Sequence, residues 1–177
     1  MADLTSALAS AVDLEKVKAN NDRVENLTAV VRDMVRTLVN ESCKDLDDYM
    51  VLIDKMLQDK EHPLSDAELE DITLNLPSLL YLTGSRREAL KIKEDVARAV
   101  HKEVYNRVRE KAEGTVADKD TAADLASQSE AISVIVLQRT VTTIKSREDA
   151  AWEMLNSVKK VLTRRIAELE LSGQVRN

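Results

Sequence analysis

Only three glycines and two prolines interrupt 177 residues. A β-sandwich or barrel of this length needs turn residues every 8–12 positions or so, and this chain cannot supply them. The core must also be made without Phe and with a single Trp, so Leu, Val, Ile, Ala and Met have to fill it. Thin aliphatic layers of this kind suit helix-on-helix packing. Charged residues are a third of the chain, mixed in sign, and most of them favour helix. The composition therefore predicts an all-α, oligomeric protein: long antiparallel helices in a bundle, with coiled-coil seams.

The apolar spacing places those helices. Met1 to Val12 is small and polar, a loose end or a short helix. From Val17 the positions Val17, Asn20, Val24, Leu27, Val31, Met34 and Leu38 alternate steps of three and four, a heptad seam with one polar member. Cys43, Leu46, Met50, Ile53 and Leu57 resume it, as a second helix or as the first with shifted register. Pro63 disfavours helix at His62 and ends the run. Ser65 and Glu68 form a capping-box pattern, so a helix is expected to begin near Asp66. Pro77 predicts a kink or break near Asn75. Thr83-Gly84 predicts another, with Ser85 and Glu88 as a second capping box before a helix over about 86–112. Residues 114–119 are the clearest linker.

Beyond the linker no Pro or Gly occurs until Gly173. Val134, Leu137, Val141, Ile144, Ala151, Leu155, Val158 and Leu162 keep the three-four rhythm, with Glu148 the one charged residue at a core-like position. One helix of about 50 residues would be near 75 Å long. A kink or short turn near Lys145–Asp149 is expected instead. A stripe that long needs another helix to cover it, from this chain or from another copy. Val134, Leu137, Val141, Ile144, Leu155, Val158 and Leu162 are accordingly the candidate oligomerisation seam. The organisation reads as an acidic helical segment 1–63, middle helices 64–113, linker 114–119 and a long packing segment 120–177.

The chemistry-bearing motifs are sparse. His62 and His101 have no ligand partners at metal spacing, and Cys43 is the only cysteine. No glycine-rich phosphate loop or nucleophile elbow is present. No enzyme activity, metal or other cofactor is expected. A lone thiol, no signal-peptide pattern and no run of about 20 apolar residues suggest a cytoplasmic protein without a membrane partner.

Charge is distributed unevenly. Residues 1–80 hold 8 Lys and Arg against 17 Asp and Glu, whereas 81–177 hold 18 against 15. This polarity is either two partner surfaces or ordinary solvated helix faces. Residues 86–111 carry nine basic and five acidic side chains. Arg87, Lys91, Arg98, Lys102 and Arg109 step by four and seven, which aligns them along one helix face. Such a stripe can track a phosphate backbone, and Tyr105, near Lys102, could stack on an unpaired base. The plainer reading is a solvated face with internal pairs such as Glu94 with Arg98. Lys145, Arg147, Lys159, Lys160, Arg164 and Arg165 form a second basic set, best read as a charged coiled-coil flank.

Three segments together resemble the UvsY family of phage recombination mediators. They are Leu79-Leu80-Tyr81-Leu82, the basic helix 86–111, and Ile144-Lys145-Ser146-Arg147 within a long helical region, over about residues 75–165. The resemblance implies small helical proteins that assemble into rings through their C-terminal helices. It also implies single-stranded DNA binding and help in loading a recombinase. Family DNA contacts would fall on Lys102, Arg107 and Arg109. The acidic first 70 residues or so and the negative net charge of −6 depart from that pattern. The leading expectation is a homo-oligomeric accessory protein of recombination or replication, binding single-stranded DNA and a recombinase or other protein. A protein-binding inhibitor or adaptor using the acidic half, and a structural coiled-coil scaffold, are the alternatives.

Overall fold

The computed structural model describes residues 14–174, and the reading of Met1–Val12 lies outside them. Among the described residues there is no strand. Four helices follow one another: α1 Leu14–Gln58, α2 Asp66–Lys111, α3 Val116–Ala126 and α4 Gln128–Gln174. At 1.5 Å per residue the three long ones each extend roughly 70 Å.

Each helix end has a local cause. At the end of α1, the Asp59 carboxylate accepts from the backbone N–H of Glu61 and of His62, at 3.0 and 3.1 Å. Those bonds favour the charged form and hold Asp59 below the usual carboxylate range. Ser65 then caps α2. Its hydroxyl accepts from the Glu68 N–H, and the Glu68 carboxylate accepts from the Ser65 N–H, so the expected capping box is present. Past α2 the chain turns through Gly114 at φ +108°, where a Cβ would meet the Asp118 side chain at 2.9 Å. Thr115 and Asp118 form a second capping box, which starts α3 inside the stretch expected to be linker. Ser127 alone separates α3 from α4. Its buried hydroxyl donates to the Ala123 carbonyl at 2.9 Å, a bond back along the helix that tends to bend it.

The chain does not break at Pro77, at Thr83-Gly84 or at Lys145–Asp149, because α2 and α4 run through them. Ser85 caps nothing. Its hydroxyl donates to the Tyr81 carbonyl within the same helix. α1 is likewise one continuous helix, with the register shift that was one of the two expected outcomes.

α1, α2 and α4 form a three-helix bundle, with α1 and α4 parallel and α2 antiparallel to both. This follows from the order in which their residues meet. One buried cluster joins Leu46 and Ile53 of α1, Leu69, Ile72, Leu76 and Leu80 of α2, and Ala151, Leu155 and Val158 of α4. A second joins Val39 and Cys43, Leu90, and Ile144. Between the two lies a polar layer of Ser42, Thr83 and Glu148. There the Arg87 guanidinium stands 3.0 Å from Glu148 Oε2. Gly84 leaves room beside this pair, since its missing Cβ would lie 3.7 Å from Glu148 Oε1. Arg147 pairs with Asp47 across α4 and α1. Arg165 donates to the Leu64 carbonyl at 2.6 Å and to Asp66 at 3.0 Å, tying α4 to the start of α2.

The heptad seam expected at the start of α1 is not covered. Every described side chain from Glu15 to Val30 is exposed, and Met34 is too. Core contact begins near Val35, one residue out of phase with the expected seam, and continues through Val39, Cys43 and Leu46.

Burial pushes the Glu148 carboxyl above its usual 4.5, and Arg87 only partly offsets this. A carboxyl raised on folding gives stability that is full at low pH and falls as pH rises from about 4.5 through the raised value. Arg87→Met should therefore destabilise the protein by about 3 kcal/mol near neutrality and by much less in acid. Adding Glu148→Gln should recover most of the loss. Urea unfolding from about pH 4 to about pH 8 checks both. A second outcome concerns Cys43, fully buried, its thiol pushed up to about 11 by burial and then by Asp47. Ellman's reagent at about pH 8 should leave the native thiol unmodified and label it promptly in denaturant.

Candidate nucleic-acid interface

On the α2 wheel, at 100° per residue, Arg87, Lys91, Arg98, Lys102 and Arg109 fall within about 60° of one another. Tyr105 lies on the same edge. Arg107 does not, and sits on the opposite flank. The row borders the core-facing side of α2, so its members face the seam with α3 and α4.

That position gives several of them acidic neighbours. Arg87 is taken up by Glu148 and is a structural cation of the bundle. Arg98 donates to Glu94 one turn back, at 2.5 and 3.0 Å. Arg109 Nε donates to Asp120 of α3 at 2.5 Å, and the Tyr105 hydroxyl donates to the same carboxylate at 3.2 Å. Partial burial, then the charges of Asp120 and Asp124, hold the Tyr105 phenol above its ordinary value. Its ring is half-buried, so stacking on a base would require it to leave Asp120. Arg107 pairs with Glu103 within α2. Lys91 and Lys102 are exposed and make no ion pair with the described residues.

The pairs differ in what holds them. The Glu148 side chain is 9% exposed, and removing its partner leaves a buried charge. Arg98 meets a Glu94 side chain only 12% exposed. The pairs of Arg107 and Arg109, by contrast, sit at side chains about half exposed, where a pair contributes roughly 0–1 kcal/mol. A phosphate can replace such a carboxylate at little cost. The structure thus divides the row into one fixed cation at Arg87, one held by a largely buried carboxylate at Arg98, one exchangeable at Arg109, and two open ones at Lys91 and Lys102.

The second basic set is mostly occupied. Lys145 pairs with Asp149, Arg147 with Asp47, Arg164 with Glu168 and Arg165 with Asp66. Lys159 and Lys160 remain exposed beside Arg164 along the outer face of α4.

The expected oligomerisation seam is closed largely within the chain. Ile144, Leu155 and Val158 are buried against α1 and α2, which corrects their assignment to an intermolecular contact. Leu137, Val141 and Leu162 pack half-buried on the same core, and Val134 is half-buried. The long α4 stripe needed a covering helix, and this chain's own α1 and α2 supply it.

Spacing by heptads missed the outer face of α2. There Leu74, Tyr81, Leu82, Ile92, Val96 and Val100 are exposed, Tyr81 by 76% and Leu74 by 70%. An eleven-residue period shows it: Leu74, Ser85 and Val96 repeat at that interval, as do Ser78, Ala89 and Val100. An apolar hollow of about 390 Å³ also opens at the α1–α2 turn, between Met56, Leu57, Pro63, Met154 and Val161.

Among the described residues no group of three or more His, Cys, Asp or Glu is placed to hold a metal ion, and no helix is long and apolar enough to cross a membrane. No protein-family model, no curated protein and no solved structure matches this chain.

Proposed function

We propose that this chain is a non-enzymatic, homo-oligomeric accessory protein of DNA recombination or replication that binds single-stranded DNA along the flank of α2. A recombinase or another protein of the same pathway would be its partner. The observation that carries this reading is the row Lys91, Arg98, Lys102 and Arg109. Among the described residues Lys91 and Lys102 have no counter-ion, Arg109 is held by the part-exposed Asp120, and Arg98 by the largely buried Glu94. Lys91 and Lys102 lie about 16 Å apart along the helix, a spacing that lets one extended strand meet both. Contacts this few are weak singly, and repetition across copies makes them additive. The resemblance of residues 75–165 to UvsY-type mediators supports the same reading. So does the position of Lys102 and Arg109, which the resemblance marks and which lie within the row.

A second reading, a protein-binding adaptor, is favoured by the apolar outer face of α2 and by the acidity of residues 1–80. It makes the opposite forecast for nucleic acid.

Fluorescence anisotropy with a labelled single-stranded oligonucleotide separates the two. Binding should be measurable at low salt and fall steeply as salt rises. Lys91→Glu with Lys102→Glu should weaken it at least ~10-fold and reduce the log–log salt slope by about 1.4, at about 0.7 per lost phosphate contact. Reversal of Lys102, Arg107 and Arg109 together should abolish it. Absence of salt-sensitive binding by the unaltered protein would overturn the DNA reading in favour of the adaptor.

A further inference from the structure

The outer face of α2 is a continuous uncharged band. Between residues 72 and 102, every position within about 100° of arc on that side is apolar, small or a serine. The six large members are Leu74, Tyr81, Leu82, Ile92, Val96 and Val100, all exposed. From Leu74 to Val100 the band runs about 39 Å along the helix. Between the large residues stand Ser78, Ser85, Ala89 and Ala99, which let a second helix approach closely. The Ser85 hydroxyl already donates to the Tyr81 carbonyl at 3.0 Å, so covering it leaves no donor unmet. A single apolar residue on a surface needs no explanation, but a band of this length and continuity marks a contact.

The charges along its two edges identify the occupant. Glu88 and Asp95 line one edge, and Lys93 lines the other. All three are exposed and none makes an ion pair with the described residues. Two identical helices facing each other can be related by a two-fold axis parallel to them or perpendicular to them. The perpendicular axis puts acidic edge against acidic edge and basic against basic. The parallel axis sets the acidic edge of each copy beside the basic edge of the other, with Lys93 at a level between Glu88 and Asp95. The eleven-residue repeat, at 3.67 residues per turn, allows this band to stay in contact over its length with only slight right-handed coiling.

We infer that the outer face of α2 is a self-association surface, on which a second copy of this chain docks with its α2 parallel and in register. This rests on the homo-oligomeric part of the proposed function and adds the surface and its orientation. It leaves the row of Lys91, Arg98, Lys102 and Arg109 on the far side of the acidic edge, uncovered by the second copy.

The test uses the full chain without nucleic acid, in light scattering and sedimentation over a concentration series. The unaltered protein should have at least twice the monomer mass. Ile92→Glu with Val96→Glu should drop the mass to a smaller species with helicity unchanged, since both side chains are exposed in the monomer. Lys93→Glu should weaken association, as should Glu88→Lys with Asp95→Lys. Combining all three changes should restore it. With Cys43→Ser as background, Ile92→Cys should form a 92–92′ disulfide under mild oxidation. A unaltered chain that is monomeric at high concentration, or a double Glu variant of undiminished mass, would overturn the proposal. So would a Leu82→Cys/Ile92→Cys variant in the same background that forms 82–92′ disulfides in preference to 92–92′, which is the antiparallel outcome. Oligonucleotide binding is read separately. Loss of DNA affinity in the lysine variants with mass unchanged leaves this interface standing, and loss of mass in the Ile92 and Val96 variants leaves the DNA reading standing.

Discussion

The register of α2 against α4 rests on one buried ion pair, Arg87 with Glu148, set between two aliphatic clusters. Aliphatic seams alone define the relative height of two helices poorly, because a slide of one heptad brings Leu over Leu again. A buried carboxylate with a single cation to meet removes that degeneracy, since every other register leaves a charge stranded in the core. Glu148 Oε1 has no hydrogen-bond partner within the protein, so the layer is tuned to position more than to strength. Gly84 lies beside the same layer, where a Cβ would stand in ordinary contact with Glu148 Oε1 at 3.7 Å. Around this layer, Asp47–Arg147 and Asp45–Arg86 fix α1 to its two neighbours at the same height.

Once register is set, the geometry of long thin helices decides where function can lie. A three-helix bundle about 70 Å long buries one stripe per helix and exposes the remainder. Along such a rod the exposed surface is organised linearly, as rows of charge and bands of apolar surface. α2 carries both on different sides. Its inward edge bears the cations, partly balanced by α3 and by its own glutamates. Its outward face bears the uncharged band. Asp120 docks α3 onto the inward edge, since one carboxylate holds both Arg109 and the Tyr105 hydroxyl.

Much of this was legible in the residues, and the misreadings have physical causes. Turn poverty and aliphatic composition gave the helical class, and the Ser65–Glu68 pattern fixed the start of α2. Glu148 was visible as the one charged residue in a core-like phase, though its partner Arg87 was read as a surface cation. The two assignments needed each other, and only packing brings residues 61 positions apart together. Pro77 and Gly84 read as breaks because local propensity disfavours helix at both. Leu76 and Leu80 are buried against two other helices, and that burial outweighs a propensity cost of roughly 1–3 kcal/mol each. The Ser85–Glu88 spacing mimics a capping box, but a cap forms only where backbone N–H groups lack a carbonyl, and mid-helix they do not.

The heptad template accounts for the remaining difference. At the start of α1 it picked Val17, Val24 and Leu27, all exposed, while true core contact begins at Val35 in a shifted phase. On α2 it overlooked the outer band, whose repeat is eleven residues. A period of 3.5 demands left-handed coiling and one of 3.67 demands slight right-handed coiling, so a single helix cannot satisfy both on the same partner. α2 resolves this by giving its inward face to α1 and α4 and holding the eleven-residue repeat on the side they do not reach. The two periodicities thus lie on two different faces of α2, one packed inside the chain and one exposed.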